Sequence, residues 1–164
     1  MPQLVPTVPA SEVPDDAVVL DVREDDEWVH GHIDGATHIP MGDVPPRLHE
    51  VPEADPLFVI CRSPARVLVY DTTSGKMTAS FAAVGDADDA FFDAGRKRLY
   101  VIGGQGFVDV FQRQDADHYA SIAHVPTAPG ARTGLFVPDS QRLFVAVPHR
   151  GQQGAAILMF EPRD

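Results

Sequence analysis

Cys61 is the single cysteine of the 164-residue chain, and it opens the run Cys61-Arg62-Ser63-Pro64-Ala65-Arg66. These six residues have the look of a reactive-cysteine loop. The thiolate is the nucleophilic form of cysteine, and a nearby cation or inward-pointing backbone N–H groups favour it. Two features of the same stretch pull the other way. Pro64 removes one backbone donor from any such loop and fixes its φ. Arg66 then begins Arg-Val-Leu-Val-Tyr-Asp, a β-strand pattern leading into a turn, where a thiolate loop would be backed by a helix N-terminus.

Other chemistry-bearing residues read more simply. His30, His32, His38 and His49 could be drawn around Cys61, but they lack the tight ligand spacing of a zinc site, so no metal and no other cofactor is expected. Asp21 and Arg23 read as residues that orient a strand end and the loop after it. The acidic run Gly85 to Ala90 lacks the spacing of a calcium loop and reads as a solvated turn. A lone cysteine excludes an internal disulfide and fits a reducing compartment.

The elements that must position these residues change character along the chain. Residues 2–15 carry four prolines and suggest an extended lead-in. Ala17 to Val22 is a short apolar run of the kind that forms a buried parallel strand. Glu24 to His30 suits a short helix with an acidic first turn. Asp43 to Glu50 suits another, and Pro56 to Cys61 reads as a second buried strand, so the chain begins as α/β. From Arg66 onward, nine short β-branched or aromatic runs are punctuated by Gly, Pro, Asp and Ser, as in successive hairpins. Phe92 followed by Arg98-Leu99-Tyr100-Val101 recurs 44 residues later as Phe136 followed by Arg142-Leu143-Phe144-Val145. Val69-Tyr70-Asp71 likewise recurs as Val110-Phe111-Gln112 and, more loosely, as Leu158 to Glu161. A period in the low forties with about four strands per repeat predicts propeller-type blades.

Composition shifts at the same place. Residues 1–64 hold 13 Asp or Glu against 3 Lys or Arg, and residues 65–164 hold 11 against 10. We therefore expect two incomplete segments, 1–64 and 65–164. A net charge of -11 argues against nucleic acid and an anionic membrane surface as partners and leaves a basic small partner open. The first residues carry neither a basic stretch nor an apolar run, so neither a signal peptide nor a membrane anchor is expected, and a cytoplasmic location follows.

The run Val18 to Pro40, with Leu20-Asp21-Val22-Arg23, Glu27, Gly31-His32-Ile33, Gly35-Ala36 and Ile39-Pro40, followed by Val59 to Arg66, resembles the first half of a rhodanese-like domain. The resemblance implies an α/β fold and a sulfurtransferase site. In it Cys61 takes sulfur from a small donor as a persulfide and passes it to a thiophilic acceptor. Arg62, Ser63 and Arg66 line the sulfur cradle, and Asp21, Arg23 and His32 support it. Residues 65–164 resemble about two and a half blades of a YVTN-type β-propeller, with four-stranded antiparallel sheets. The expected fold class is therefore mixed: a rhodanese-like α/β segment followed by all-β blades whose open edges would let copies of the chain associate. The expected function is sulfur transfer through Cys61, with a non-catalytic binding or scaffold protein, or a fusion product without selected activity, as the alternatives.

Overall fold

The computed structural model describes residues 20–32, 35–44, 46–51 and 56–163. Two compact units divide the chain, Met1–Asp55 with Thr72–Gly75, and Pro56–Asp71 with Lys76–Asp164. The chain is mostly β-sheet, with several three- and four-stranded antiparallel sheets. Among the described residues no helix is long and apolar enough to cross a membrane.

In the first unit, β1 (Leu20–Asp21) pairs in parallel with β2 (Thr37–His38). Between them lies α1 (Asp25–Trp28). A reciprocal capping box between Glu24 and Glu27 starts this helix, and its acidic first turn meets the positive end of the helix dipole. Gly31, at φ 133°, lies in the chain path just past the helix, in a conformation that only glycine adopts easily. Ile39 and Val44 are buried. The helix expected over 43–50 is two separate 3-10 turns, Met41–Asp43 and Leu48–Glu50. The Pro45-Pro46 pair within that span denies a continuous helix its amide donors. The apolar run 17–22 lies partly outside the described residues, and only Leu20–Asp21 is seen as strand.

The second unit is a succession of antiparallel meanders. β3 (Leu57–Arg62), β4 (Ala65–Asp71) and β5 (Lys76–Ala82) form one sheet. β6 (Ala87–Asp93), β7 (Arg98–Gly103), β8 (Phe107–Arg113) and β9 (Tyr119–Pro126) form the second. β10 (Thr133–Val137), β11 (Arg142–Val147) and β12 (Ala156–Phe160) form the third. The first strand of the middle sheet, β6, contacts both β3 and β10.

Alternation along β7 explains why that strand is buried almost throughout. Leu99 and Val101 join Val67, Val69 and Phe111 in one core cluster, whereas Tyr100 and Ile102 join Leu143 and Val145 in another. Successive side chains of a strand point to opposite faces, so a sheet covered on both sides needs a continuous apolar run. The Arg-Leu-Tyr-Val-Ile segment supplies it.

The internal repeat is realised as equivalent strand pairs. Phe92 faces Leu99 as Phe136 faces Leu143, and Leu99 faces Phe111 as Leu143 faces Phe160. A third copy is found in the first sheet of this unit, where Leu57 faces Tyr70. Leu57-Phe58-Val59 thus corresponds to Leu99-Tyr100-Val101 and Leu143-Phe144-Val145.

This corrects the reading of Pro56 to Cys61 as a buried strand of an α/β sheet. β3 pairs antiparallel with β4 through the two-residue turn Ser63-Pro64, whose peptide is cis. An apolar run of this length suits either kind of strand, and the short turn makes the sequential neighbour its partner.

Candidate functional site around Cys61

Cys61 stands near the end of β3 as a free, half-buried thiol, directly across from Arg66 on β4. Residues opposite each other in an antiparallel pair carry their side chains on the same face. Phe58 and Ile60 pack into the core shared with β7, so Leu57, Val59 and Cys61 occupy the other face of this sheet. Arg66 shares that face, and its Nε donates to Ser80 Oγ at 3.0 Å.

Arg62 lies on the opposite face. Its guanidinium donates to Asp86 and sits 3.3 Å from Asp88. Arg132 completes the cluster, 3.0 Å from Asp86 and 2.7 Å from Asp88. The Arg62 hydrogen bond, with Arg132 adding to it, holds the Asp86 carboxyl below its ordinary range. The acidic run 85–90 is therefore engaged in ion pairs that tie β3 and the segment before β10 to the start of β6, and Asp89 accepts a hydrogen bond from the Gly134 N–H at 2.8 Å. Ser63 occupies the hairpin turn. Arg62 and Arg66 thus diverge, and Cys61 to Arg66 is a β-hairpin with a strand, not a helix, following it. Proline at the second turn position and the strand-forming run after Ala65 favour the hairpin over a cradle of inward N–H groups.

Asp21 and Arg23 pair with each other within the first unit, whereas His32 packs on Trp28. Arg23 forms a two-pronged hydrogen bond to Asp21, with Nε 2.9 Å and 3.0 Å from its two oxygens, and reaches the Gly31 carbonyl at 2.9 Å. This bond holds the Asp21 carboxyl at about 2. The strand end is thereby tied to the turn after α1. Trp28 has a role that no motif announced. Its ring stacks with His32, at a centroid distance of 3.5 Å, and with His38, at 4.3 Å, the planes of both nearly parallel to its own. His38 Nε2 lies 2.9 Å from the Arg23 carbonyl oxygen. Two of the four histidines are thus used in stacking. Among the described residues the one cluster with metal-ligand geometry is Asp115, Asp117 and His118, all exposed and remote in sequence from Cys61.

The Rhodanese-like domain family matches residues 10–104. The chain is 46% identical over 48 residues to a Bacillus subtilis (strain 168) protein named as sulfur carrier protein YrkF, covering 29% of this chain and 26% of that protein. It is 38% identical over 55 residues to one from the same organism named as sulfurtransferase YtwF, covering 34% of this chain and 53% of that protein. The chain thus spans about half or less of the length of these curated relatives. Because the matched range takes in more than half of its residues, the chain belongs to the rhodanese-like domain family.

Proposed function

We propose that this protein handles sulfur, with Cys61 as the carrier of a persulfide. Family membership carries the reading, together with the fact that Cys61 is the one thiol the chain has. The Cys61 thiolate attacks the outer sulfur of a donor such as thiosulfate. An S–S bond forms at Cys61 as the donor S–S bond breaks, and sulfite leaves with the electron pair. A thiophile such as cyanide then takes the terminal sulfur, and the Cys61 thiolate is restored. Arg66, on the same face, is the cation placed to meet an anionic donor. Without a helix N-terminus behind the thiol, turnover is slow, and the protein acts more as a carrier than as an efficient catalyst. The setting is a reducing, cytoplasmic one. We place the rhodanese-like α/β part in the first unit and read the three sheets as part of a propeller.

One observation favours a second reading. The register that equates Leu57 with Leu99 and Leu143 also equates Cys61 with Gly103 and Val147. Cys61 would then be an ordinary strand residue of a blade, and the protein a non-catalytic binding scaffold in which the family match marks descent. Thiocyanate release from thiosulfate and cyanide separates the two. The first reading predicts a rate above background that Cys61→Ala abolishes; equal rates in both proteins leave the scaffold.

A further inference from the structure

Between the four-stranded sheet and the β10–β12 sheet, within the second unit, lies a cavity of about 400 Å³. That volume falls in the range of small-molecule sites, which run from roughly 300 to 1,000 Å³. Its walls are apolar, with Val108 and Val110 from β8, Ala123 and Val125 from β9, and Phe160 at the end of β12. Its polar lining is different in kind. Arg98, at the start of β7, donates through Nε to Gln112 Oε1 at 3.1 Å and through a terminal N–H to the Arg163 carbonyl oxygen at 2.6 Å. These bonds fix the guanidinium against the chain segment that follows β12. Arg163 also lines the cavity, and its exposed side chain has no carboxylate partner among the described residues. Glu161, the one acidic residue of the lining, is already engaged by Arg142 at 3.1 Å. Tyr100 lines the space as well, and its buried hydroxyl lies close to Arg98 without a partner in hydrogen-bonding geometry among the described residues.

Two arginines facing an apolar cavity are an exception in a chain of net charge -11. A hydrocarbon body alone would not call for them. From this combination we propose that the cavity binds a small amphipathic anion, an apolar chain or ring ending in a carboxylate, with the body against Val108, Val110 and Phe160 and the carboxylate between Arg98 and Arg163. A guanidinium paired with a carboxylate is among the stronger hydrogen-bonded contacts, and partial exclusion of water strengthens it. This inference is independent of sulfur transfer, because none of the residues involved lies on the Cys61 hairpin.

Decanoate is a suitable probe, titrated calorimetrically into the full chain and into Cys61→Ala, with decanol as the neutral control. The expected result is saturable one-site binding of decanoate, equal in both proteins and about tenfold or more tighter than decanol. Arg163→Gln should lower decanoate affinity by a similar factor and leave decanol unchanged. Ala123→Phe, which fills the cavity, should abolish binding of both; its fold is checked by circular dichroism, and Ala123→Leu serves if the larger side chain unfolds the sheet. Absence of saturable binding would overturn the proposal. So would equal affinity for decanoate and decanol, or binding that survives a folded cavity-filling variant.

Discussion

Cys61 and Arg66 face each other across the β3–β4 hairpin, in register and on the same face of the sheet. Arg62 projects to the other face and is held by Asp86 and Asp88. If the Cys61 thiolate meets an anionic donor, Arg66 is the cation that counts. Arg66→Gln should lower thiocyanate release from thiosulfate roughly tenfold, as loss of a charge-assisted contact does. Arg62→Gln should leave the rate within about twofold while lowering the urea midpoint. Equal effects of the two substitutions on rate would contradict this division of roles.

Burial on both faces of the middle sheet sets the energetics of the second unit. Ile102 is 0% exposed in the core with Leu143 and Val145, whereas Ile157 on β12 is 65% exposed. Ile102→Ala should cost about 2–5 kcal/mol in urea unfolding, from lost transfer energy and the cavity left behind. Ile157→Ala should stay within about 0.5 kcal/mol. Similar costs at both sites would mean that the core is not where the structure places it.

Acid should destabilise the fold in a defined window. Asp86 is held below the ordinary carboxylate range by the hydrogen bond from Arg62, Asp21 at about 2 by Arg23, and Asp115 at about 2 by His118. A carboxyl whose folded pKa is depressed contributes stability above its unfolded value, 3.8, and that contribution is lost as pH falls toward the folded value. Urea midpoints should therefore hold steady down to about pH 5 and fall between about pH 4 and 2. In Asp86→Asn the fall should be shallower. His118 has the opposite sign: its pKa is raised by Asp115, so its share is present below 6.5 and fades as pH rises through the raised value. An unchanged acid slope in Asp86→Asn would show that its ion pairs contribute nothing measurable.

Among the described residues strand β12 pairs with β11 alone, and it presents Ile157 and Met159 to solvent, at 65% and 52% exposure. An open apolar edge is a template for pairing with another chain. Light scattering after size exclusion should give a mass above the 17.8 kDa of one chain, reduced to that value by Ile157→Lys. A wild-type monomer across the micromolar range would show that this edge is silent.

The hairpins were legible in the sequence because their signal is local. Every apolar run from Arg66 onward is a strand, β4 to β12, bounded by the Gly, Pro, Asp and Ser punctuation that marked it. The repeat of Phe92 and Leu99 as Phe136 and Leu143 predicted equivalent pairs because register fixes which residues meet. The allegiance of Pro56 to Cys61 was not legible in the same way. Four or five apolar residues suit a parallel or an antiparallel strand equally, and the match of Leu57-Phe58-Val59 to the repeat was masked by the cysteine that follows it. The Asp21–Arg23 pair was readable as support for a strand end. The stacking of Trp28 with His32 and His38 was not, because nothing in their spacing distinguishes stacking residues from turn residues.

Uptake of sulfur by Cys61 can be read by intact-mass spectrometry after incubation with thiosulfate. A species heavier by one sulfur atom should form, located at Cys61 by peptide mapping, absent from Cys61→Ala and removed by cyanide. A protein of unchanged mass, whose Cys61 still reacts fully with iodoacetamide, would contradict it.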